Sequence, residues 1–276
     1  MTEPPSFASR LAWWRRRRGL SQLQLALAAE CSQRHVSFLE LGRTRPSRDM
    51  VLRLATTLEV SLRGTNELLL AAGYAPVWRE SAFGAEALAP VREALGYMLT
   101  QQEPFPAVVV DRRWNVLQAN KGAISLIEFL VAPLAPGAAL NLADALVAPD
   151  VLRPHLVNWQ QAVRHFLRSV EADAAADGTA ATNELLQRLL GYQGVRELIQ
   201  AAIPPADAPP VLPMHFRKDE ANIRLFTTIA TLGTPQDITL QELRIESFFP
   251  MDEETHELFR SWGFRGATSA VTAPLK

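Results

Sequence analysis

Side chains able to hydrogen-bond recur through the segment Leu20–Glu40, where they are interspersed with small and apolar residues. Ser21 and Ser32 each precede a short run of helix-forming residues, so each predicts the N-cap of a helix. Ala26 and Ala29 are small enough for the second of these helices to cross the first closely. We therefore expect two short helices that pack against each other across a turn.

The second of these helices has residues suited to reading DNA. Cys31, Val36 and Leu39 fall on one side and predict its inner, apolar face. Gln33, Arg34 and Ser37 remain on the outer side near the N-terminus, the end that enters the major groove in a helix-turn-helix. Such side chains pair with base edges, and arginine is a common reader of guanine. The pattern therefore predicts a helix-turn-helix.

Residues 7–73 resemble the lambda-repressor-like, XRE-type helix-turn-helix family. The motifs that carry the resemblance are Leu20-Ser21-Gln22, Leu25-Ala26, Ser32, Leu39-Glu40, Gly42-Arg43, Arg45-Pro46-Ser47 and the helix with Leu52, Leu54 and Ala55. The resemblance implies that Gln22, Arg43 and Arg45 contact phosphates. It also implies that Gln33, Arg34, Ser37 and Phe38 face bases. Ser32, the predicted cap of the second helix, is counted with the DNA-binding residues.

Two positions depart from the family pattern. Glu30 stands where the family usually has a turn glycine, so the turn must tolerate another residue. Phe38 stands where a polar base reader is common, and contact with a thymine methyl group is the alternative for it. A five-helix bundle that binds no DNA is the competing interpretation of this whole segment.

Charge distinguishes the front of the chain from the rest. Residues 1–73 hold 11 Lys and Arg against 6 Asp and Glu, a net charge of +5, whereas the remaining residues hold 17 against 23, a net charge of −6. Only the front is therefore expected to meet a polyanion. The cationic run Arg15–Arg18 fits either phosphate binding or the C-terminal end of a helix, where cations are favoured.

Several classes of protein are disfavoured by composition. One cysteine, Cys31, excludes an intramolecular disulfide and a cysteine-rich zinc site. No apolar run reaches the roughly 18–20 residues of a membrane span, and Met1–Pro5 does not begin a secretory signal. We find no dinucleotide-binding glycine motif, P-loop or nucleophile elbow, and no paired acid and base, so no enzymatic activity and no cofactor are expected. A cytoplasmic protein is predicted.

The remainder of the chain predicts an α+β domain behind an all-α front domain. The expected boundaries are a DNA-binding domain over 1–74, a connector helix within 75–103, a ligand-binding domain over 104–265 and a flexible tail over 266–276. Strands are predicted over 107–110, 114–119, 214–217, 223–232 and 239–249. Helices are predicted over 85–102, 120–131 and 253–262, and 141–170 is predicted to be largely helical with interruptions at Pro149 and Pro154. A surface loop is predicted over 171–182, followed by a helix capped by Thr182.

Alternation in the last predicted strand indicates a half-exposed antiparallel position. The two alternating sets are Leu243, Ile245 and Ser247 against Glu242, Arg244 and Glu246.

Consecutive helices in the rear domain are rich in apolar residues that fill either a core or a cavity wall. Arg153, His155, Asn158 and His165 are the polar groups among them. An arginine can bind a carboxylate through two hydrogen bonds, although each of these residues also suits a surface or capping position. A haem-binding sensor, which needs a single histidine, is a further alternative.

The rear domain resembles two related kinds of sensor. Pro106–Asn120 resembles the opening hairpin of PAS-type sensors. Asn158-Trp159, Phe226–Ile229, Gly233–Asp237 and Leu240–Pro250 resemble the MmyB-like ligand-binding domain, which follows a helix-turn-helix in bacterial regulators. The resemblance implies a PAS-like antiparallel sheet with packed helices and a bound fatty acid. The residues we expect to contact the ligand are Arg153, His155, Asn158, Trp159, Val163, Phe166 and Phe226.

These observations together predict a homodimeric transcription regulator whose rear domain senses a small apolar ligand. The partners expected are double-stranded DNA, the ligand and a second copy of the chain, with no membrane. The alternative is a repressor whose rear domain serves only dimerisation or protein interaction.

Overall fold

The computed structural model describes residues 6–131, 139–177, 179–200, 211 and 213–266. Two compact units divide the chain. The first contains residues up to Ser81 together with Thr234–Gln241, and the second contains Ala82–Gly233 and the residues from Glu242 onward. Each unit has its own apolar core. Among the described residues, no helix is both long and apolar enough to cross a membrane.

The first unit is built on five short helices, as the sequence predicts. They are α1 (Phe7–Arg17), α2 (Gln22–Ala28), α3 (Gln33–Glu40), α4 (Arg48–Thr57) and α5 (Leu62–Ala71). Each begins after a serine whose side chain accepts a hydrogen bond from a backbone N–H of the first turn; these serines are Ser6, Ser21, Ser32, Ser47 and Ser61. Local capping therefore fixes where every helix starts.

The turn between α2 and α3 places Glu30 in the left-handed region, with φ of 51°. Gly42, which follows α3, has φ of 66°. Left-handed backbone costs a residue with a Cβ about 1–2 kcal/mol, whereas glycine adopts it freely. The turn thus accepts Glu30 in the left-handed conformation that a glycine would adopt at lower cost.

The second unit combines helices with a five-stranded sheet. Its helices are α6 (Ala89–Gln101), α7 (Lys121–Leu130), α8 (Leu142–Val147), α9 (Trp159–Asp177), α10 (Ala180–Leu190), α11 (Val195–Gln200) and α13 (Glu253–Gly266). The short helix α12 (Ile238–Glu242) lies between the two last strands in sequence, and its residues up to Gln241 belong to the first unit. Its strands are β1 (Ala107–Val110), β2 (Val116–Ala119), β3 (Pro213–Lys218), β4 (Ala221–Ala230) and β5 (Arg244–Pro250).

The strands run in the order β2-β1-β5-β4-β3, and every neighbouring pair is antiparallel. In the register of the three inner strands, Glu246 of β5 lies between Val108 of β1 and Ile229 of β4. Buried residues of α7, α8 and α9 form one apolar cluster with residues of the sheet. The predicted α+β class, with an antiparallel sheet and packed helices, is confirmed.

Helix α9 continues through most of the segment that the sequence assigns to a loop. Residues 171–177 are helical, and buried Val170 and Ala174 extend the apolar stripe of the helix. The loop prediction was wrong because alanine, the most frequent residue of this segment, is the strongest helix former. The next helix begins at Ala180 and is capped by Thr179, not Thr182.

The last strand also differs from its prediction. Residues 239–242 belong to α12, and β5 starts at Arg244. Neither face of the strand is open to water, because Ile245 on one side is 5% exposed and Glu246 on the other is 7% exposed. The half-exposed position was therefore wrong: β5 is an inner strand, and alternation of charge did not mark a solvent face.

Helix α6, predicted as a connector, belongs to the second unit. Leu95 and Leu99 on it are buried, and the side chain of Asn120 donates a hydrogen bond of 3.1 Å to the Leu99 carbonyl. The predicted flexible tail lies outside the described residues apart from Gly266, the last residue of α13.

Candidate DNA-binding face and ligand cavity

Helix α3 presents the predicted base-reading residues on its outer side. Val36 and Leu39 are fully buried. Gln33 and Arg34 are exposed, and Ser37 is half-buried. The N-terminus of the helix is capped by Ser32, whose hydroxyl accepts a hydrogen bond of 3.1 Å from the His35 N–H. The cap therefore fixes the helical end at which the polar side chains are displayed.

Phe38 lies beside two predicted DNA contacts. The guanidinium carbon of Arg34 is 5.1 Å from the centre of the Phe38 ring, and that of Arg43 is 5.9 Å away. Both distances are within the range of cation–π attraction. The structure thus brings a predicted base reader and a predicted phosphate contact to the same aromatic ring. Arg45, also predicted to contact phosphate, is exposed.

Glu40 ties α3 to the two preceding helices. Its carboxylate accepts two hydrogen bonds from Arg15, of 2.6 and 2.9 Å, and one of 2.8 Å from the side-chain amide of Gln22. Burial alone would raise the pKa of this carboxyl, but the hydrogen bonds and the positive charge of Arg15 outweigh it and leave the pKa lowered. The Gln22 side chain predicted to contact phosphate is therefore oriented by Glu40, and Arg15 is a structural residue here.

A cavity of about 320 Å³ lies between the sheet and the helices of the second unit. Ligand sites commonly have volumes from roughly 300 Å³ upward and mostly apolar walls. The cavity wall is mainly apolar and is formed by residues of all five strands and of α7, α8 and α9. Its apolar members include Val108, Trp114, Val116, Leu126, Ile127, Leu130, Leu142, Leu146, Phe166, Met214, Phe216, Ile229 and Phe248.

Few polar side chains reach this wall. They are Glu246 and Thr227 from the sheet and His165 and Ser169 from α9. Within the described part of the chain, no lysine or arginine lines the cavity. A carboxylate bound here would therefore lack the arginine partner that the sequence suggested.

Glu246 is the buried titratable group of the cavity. Its Oε2 atom has no hydrogen-bond partner among the described residues. Burial raises the pKa of its carboxyl to about 7, although a hydrogen bond with the Thr227 side chain and the positive charge of Arg244 both lower this pKa. Arg244 itself forms an ion pair of 2.5 Å with Asp173. Burial thus favours the protonated form of the Glu246 carboxyl.

Of the seven residues predicted to contact a ligand, Phe166 lines the cavity. Its ring meets that of Trp114 edge to face, with centroids 4.8 Å apart. Val163 is fully buried in the core and is not part of the cavity wall. Phe226 is also outside the wall and stacks on Phe249, because successive residues of a strand point to opposite faces and Thr227 takes the cavity side.

Arg153 and Trp159, both predicted to contact the ligand, have other contacts. The Arg153 guanidinium lies 3.7 Å from the Trp159 ring centre and donates to the Gln193 carbonyl. Trp159 donates its indole N–H to the Leu146 carbonyl at 3.0 Å. Arg153, His155, Asn158 and Trp159 are all absent from the cavity wall.

Asn158 has a structural role at the start of α9. Its amide donates a hydrogen bond of 2.6 Å to the Pro213 carbonyl, and its side-chain oxygen accepts one of 3.0 Å from the His215 N–H. The side chain thereby fastens the helix to β3. Arg153 and Asn158 are close in sequence, but neither lines the cavity, and each makes hydrogen bonds elsewhere.

Glu246, Thr227 and Ser169 are cavity residues that the sequence analysis did not select. Alternation along β4 and β5 assigns Thr227 and Glu246 each to one face of the sheet, but it does not show which face borders a cavity. His165 was noted as a polar residue among apolar helices and does line the cavity. The sequence signal for this site is a glutamate within an inner strand. It can be recognised only when β5 is known to lie between β1 and β4.

One group of described residues has the arrangement of metal ligands. Glu253, His256 and Glu257 lie close together on α13, with both carboxylates exposed. Their spacing along a helix and the ion-pair distances of 3.5 and 3.4 Å from His256 to the two carboxylates account for the cluster without a metal ion.

Comparison with known protein families agrees with both units. Residues 11–64 match the helix-turn-helix family, and residues 91–261, more than half of the chain, match the MmyB-like transcription regulator ligand binding domain. No curated protein sequence is significantly similar to the chain. With an outward-facing recognition helix in the first unit and an apolar cavity in the second, the chain belongs to the MmyB-like family and is a DNA-binding transcription regulator with a ligand-binding domain.

Proposed function

We propose that this regulator binds a specific DNA operator in the cytoplasm and that a fatty acid in the cavity of the second unit changes its affinity for that operator. The observation that carries the proposal is the apolar cavity of about 320 Å³ with its few polar groups. A ligand changes DNA affinity only if it binds the operator-competent and incompetent states unequally, so the proposed effect is a shift in their populations.

A single aliphatic chain suits this cavity. Aliphatic and aromatic side chains such as Leu126, Ile127, Leu130 and Phe216 supply contact along its wall. Each methylene removed from water contributes roughly 0.8 kcal/mol, so affinity is expected to increase with chain length until the cavity is filled. The head group then lies at one of the few polar positions of the wall.

Mass spectrometry of the purified protein tests this function. A spectrum under native conditions should show the chain with an added mass of a few hundred daltons that disappears on denaturation. Fatty acids of increasing length should then bind the emptied protein with increasing affinity and alter its binding to a selected operator. If no ligand co-purifies and no chain length binds, the second unit serves only dimerisation or protein interaction.

We also propose that the regulator binds DNA as a homodimer. A lone helix-turn-helix contacts few bases, and proteins of this type usually read two half-sites about 34–36 Å apart. Sedimentation velocity of the full chain at micromolar concentration should show a dimer, with or without an operator of two half-sites. A monomer under both conditions would contradict the proposal.

A further inference from the structure

Glu246 occupies an unusual position for a carboxylate. It lies on the inner strand β5, between Val108 and Ile229, and all three residues line the cavity. The residue is 7% exposed, and its Oε2 atom is buried without a hydrogen-bond partner among the described residues. A buried polar atom that lacks a partner is costly, so it indicates a partner that the protein alone does not supply.

The charged groups around Glu246 leave this atom available. Arg244, two residues earlier on the same strand, is held by Asp173 of α9 and lies over the Trp114 ring. His165 is the titratable group that α9 contributes to the cavity wall. The facing residues on β1 and β4, Val108 and Ile229, carry no charge. A ligand that placed an ionised carboxylate against Glu246 would therefore meet repulsion without a compensating arginine or lysine in the described wall.

We propose that Glu246 is the polar anchor of the cavity and accepts a hydrogen bond from an O–H group of the bound chain. This inference rests on the proposed function, since it specifies the head group of the apolar ligand. Two ligands supply the same chemistry: a long-chain alcohol, and a long-chain acid that shares one proton with Glu246. A chain that ends in an ester lacks the donor.

The acid and the alcohol differ in their proton balance. An alkanoic acid in water is ionised above about pH 5, as a glutamate side chain is. Below the pKa of Glu246, the free protein already carries the proton that the two carboxyl groups share, so binding takes up none. Above that pKa, one proton must be taken up with each acid bound. The affinity for the acid therefore falls about tenfold per pH unit above pH 7, whereas the alcohol needs no proton.

Titration calorimetry of the full chain with 1-dodecanol, methyl dodecanoate and dodecanoic acid tests the anchor. At pH 8.5 the wild type should bind the alcohol about tenfold more tightly than the ester, the effect of one hydrogen bond to a buried group. Glu246→Gln should reduce this ratio to near one, because an amide both donates and accepts. The matched control Glu128→Gln makes the same change at an exposed position of α7 outside the cavity wall and should retain the tenfold ratio.

A second comparison uses the acid. Between pH 6 and pH 8.5, the affinity of the wild type for dodecanoic acid should fall about 30-fold, and its affinity for dodecanol should change less than about threefold. Glu246→Gln should make acid binding independent of pH, since the amide holds no titratable proton. Circular dichroism at both pH values establishes that each variant is folded.

The outcomes separate the anchor from the proposed function. Suppose that all three ligands bind and that Glu246→Gln changes neither the ratio of alcohol to ester affinity nor the pH dependence of acid affinity. The role of Glu246 as anchor is then wrong, and the apolar ligand class stands. If none of the three chains binds to the folded wild type, the ligand class fails and the anchor fails with it.

Discussion

The Asp237 carboxylate accepts hydrogen bonds from both the hydroxyl of Ser81, at 2.7 Å, and the Ser81 backbone N–H, at 3.2 Å. Thr239 takes part in two further hydrogen bonds: its N–H donates to the Asp237 carboxylate, and its hydroxyl donates to the Ser81 carbonyl. The segment Thr234–Gln241, which joins β4 to β5, is by these bonds part of the helix-turn-helix unit. Both flanking strands carry cavity residues.

We expect Asp237→Ala to uncouple the ligand from DNA. The variant leaves the Ser81 and Thr239 donors without their acceptor, at a cost of about 1–3 kcal/mol to the free energy of unfolding. Ligand affinity and operator affinity should each persist, while the change in operator affinity on adding ligand becomes smaller. Fluorescence anisotropy of labelled operator, with and without ligand, measures this change. Gln236→Ala, at an exposed neighbour, is the control and should respond like the wild type.

Alanine substitutions of Arg34 and Arg43 are predicted to reduce DNA binding in different ways. Arg34→Ala should weaken binding to the selected operator by about 1–3 kcal/mol and relax sequence preference, as expected for a base reader. Arg43→Ala should weaken binding to all DNA sequences and reduce the slope of affinity against salt, since it removes a phosphate contact. Anisotropy over a salt series for operator and random duplexes separates the two effects. Wild-type behaviour of both variants would contradict the predicted docking.

Phe166 and Trp159 form a matched pair for the cavity. Both are large, partly buried aromatic residues of α9, but Phe166 lines the cavity and Trp159 does not. Phe166→Ala should weaken the binding of a dodecyl chain by about 1–3 kcal/mol through lost apolar contact. Trp159→Ala and Arg153→Ala should leave that affinity unchanged. The reverse pattern in calorimetric titrations would place the ligand outside the cavity described here.

Glu246 should make stability depend on pH even without ligand. Its pKa is raised from 4.5 to about 7 in the folded protein, so between these values the folded state holds a proton that the unfolded state has lost. The free energy of unfolding should therefore fall as pH rises from about 4.5 to 7, by roughly 3 kcal/mol in total, and then level off.

Urea unfolding at pH 5 and pH 8 measures this term. The loss between the two pH values should be smaller in Glu246→Gln than in the wild type by most of that amount, because the amide does not titrate. Equal losses in both proteins would show that the Glu246 carboxyl is well solvated in the folded state.

Local sequence signals determined the five helices α1 to α5 of the first unit and most elements of the second, but they did not assign Thr234–Gln241 to the first unit. Serine caps such as Ser21 and Ser32, apolar periodicity and the glycine after α3 act within a few residues, and they place the recognition helix and its outward side chains. Strand β1 and helix α7 followed from local pattern in the same way. Where local signals conflicted, as in the alanine-rich acidic segment 171–177, helix propensity prevailed.

The cavity was decided by tertiary structure alone. Arg153 and Asn158 have the right chemistry for a head group, but their side chains are used to fasten a turn and a strand. Glu246 looks like a solvent-facing residue of an alternating strand until β5 is found between β1 and β4. Strand order and helix packing depend on contacts between residues far apart in sequence, so the alternation that fixes a residue's face leaves open whether water or a cavity lies against that face.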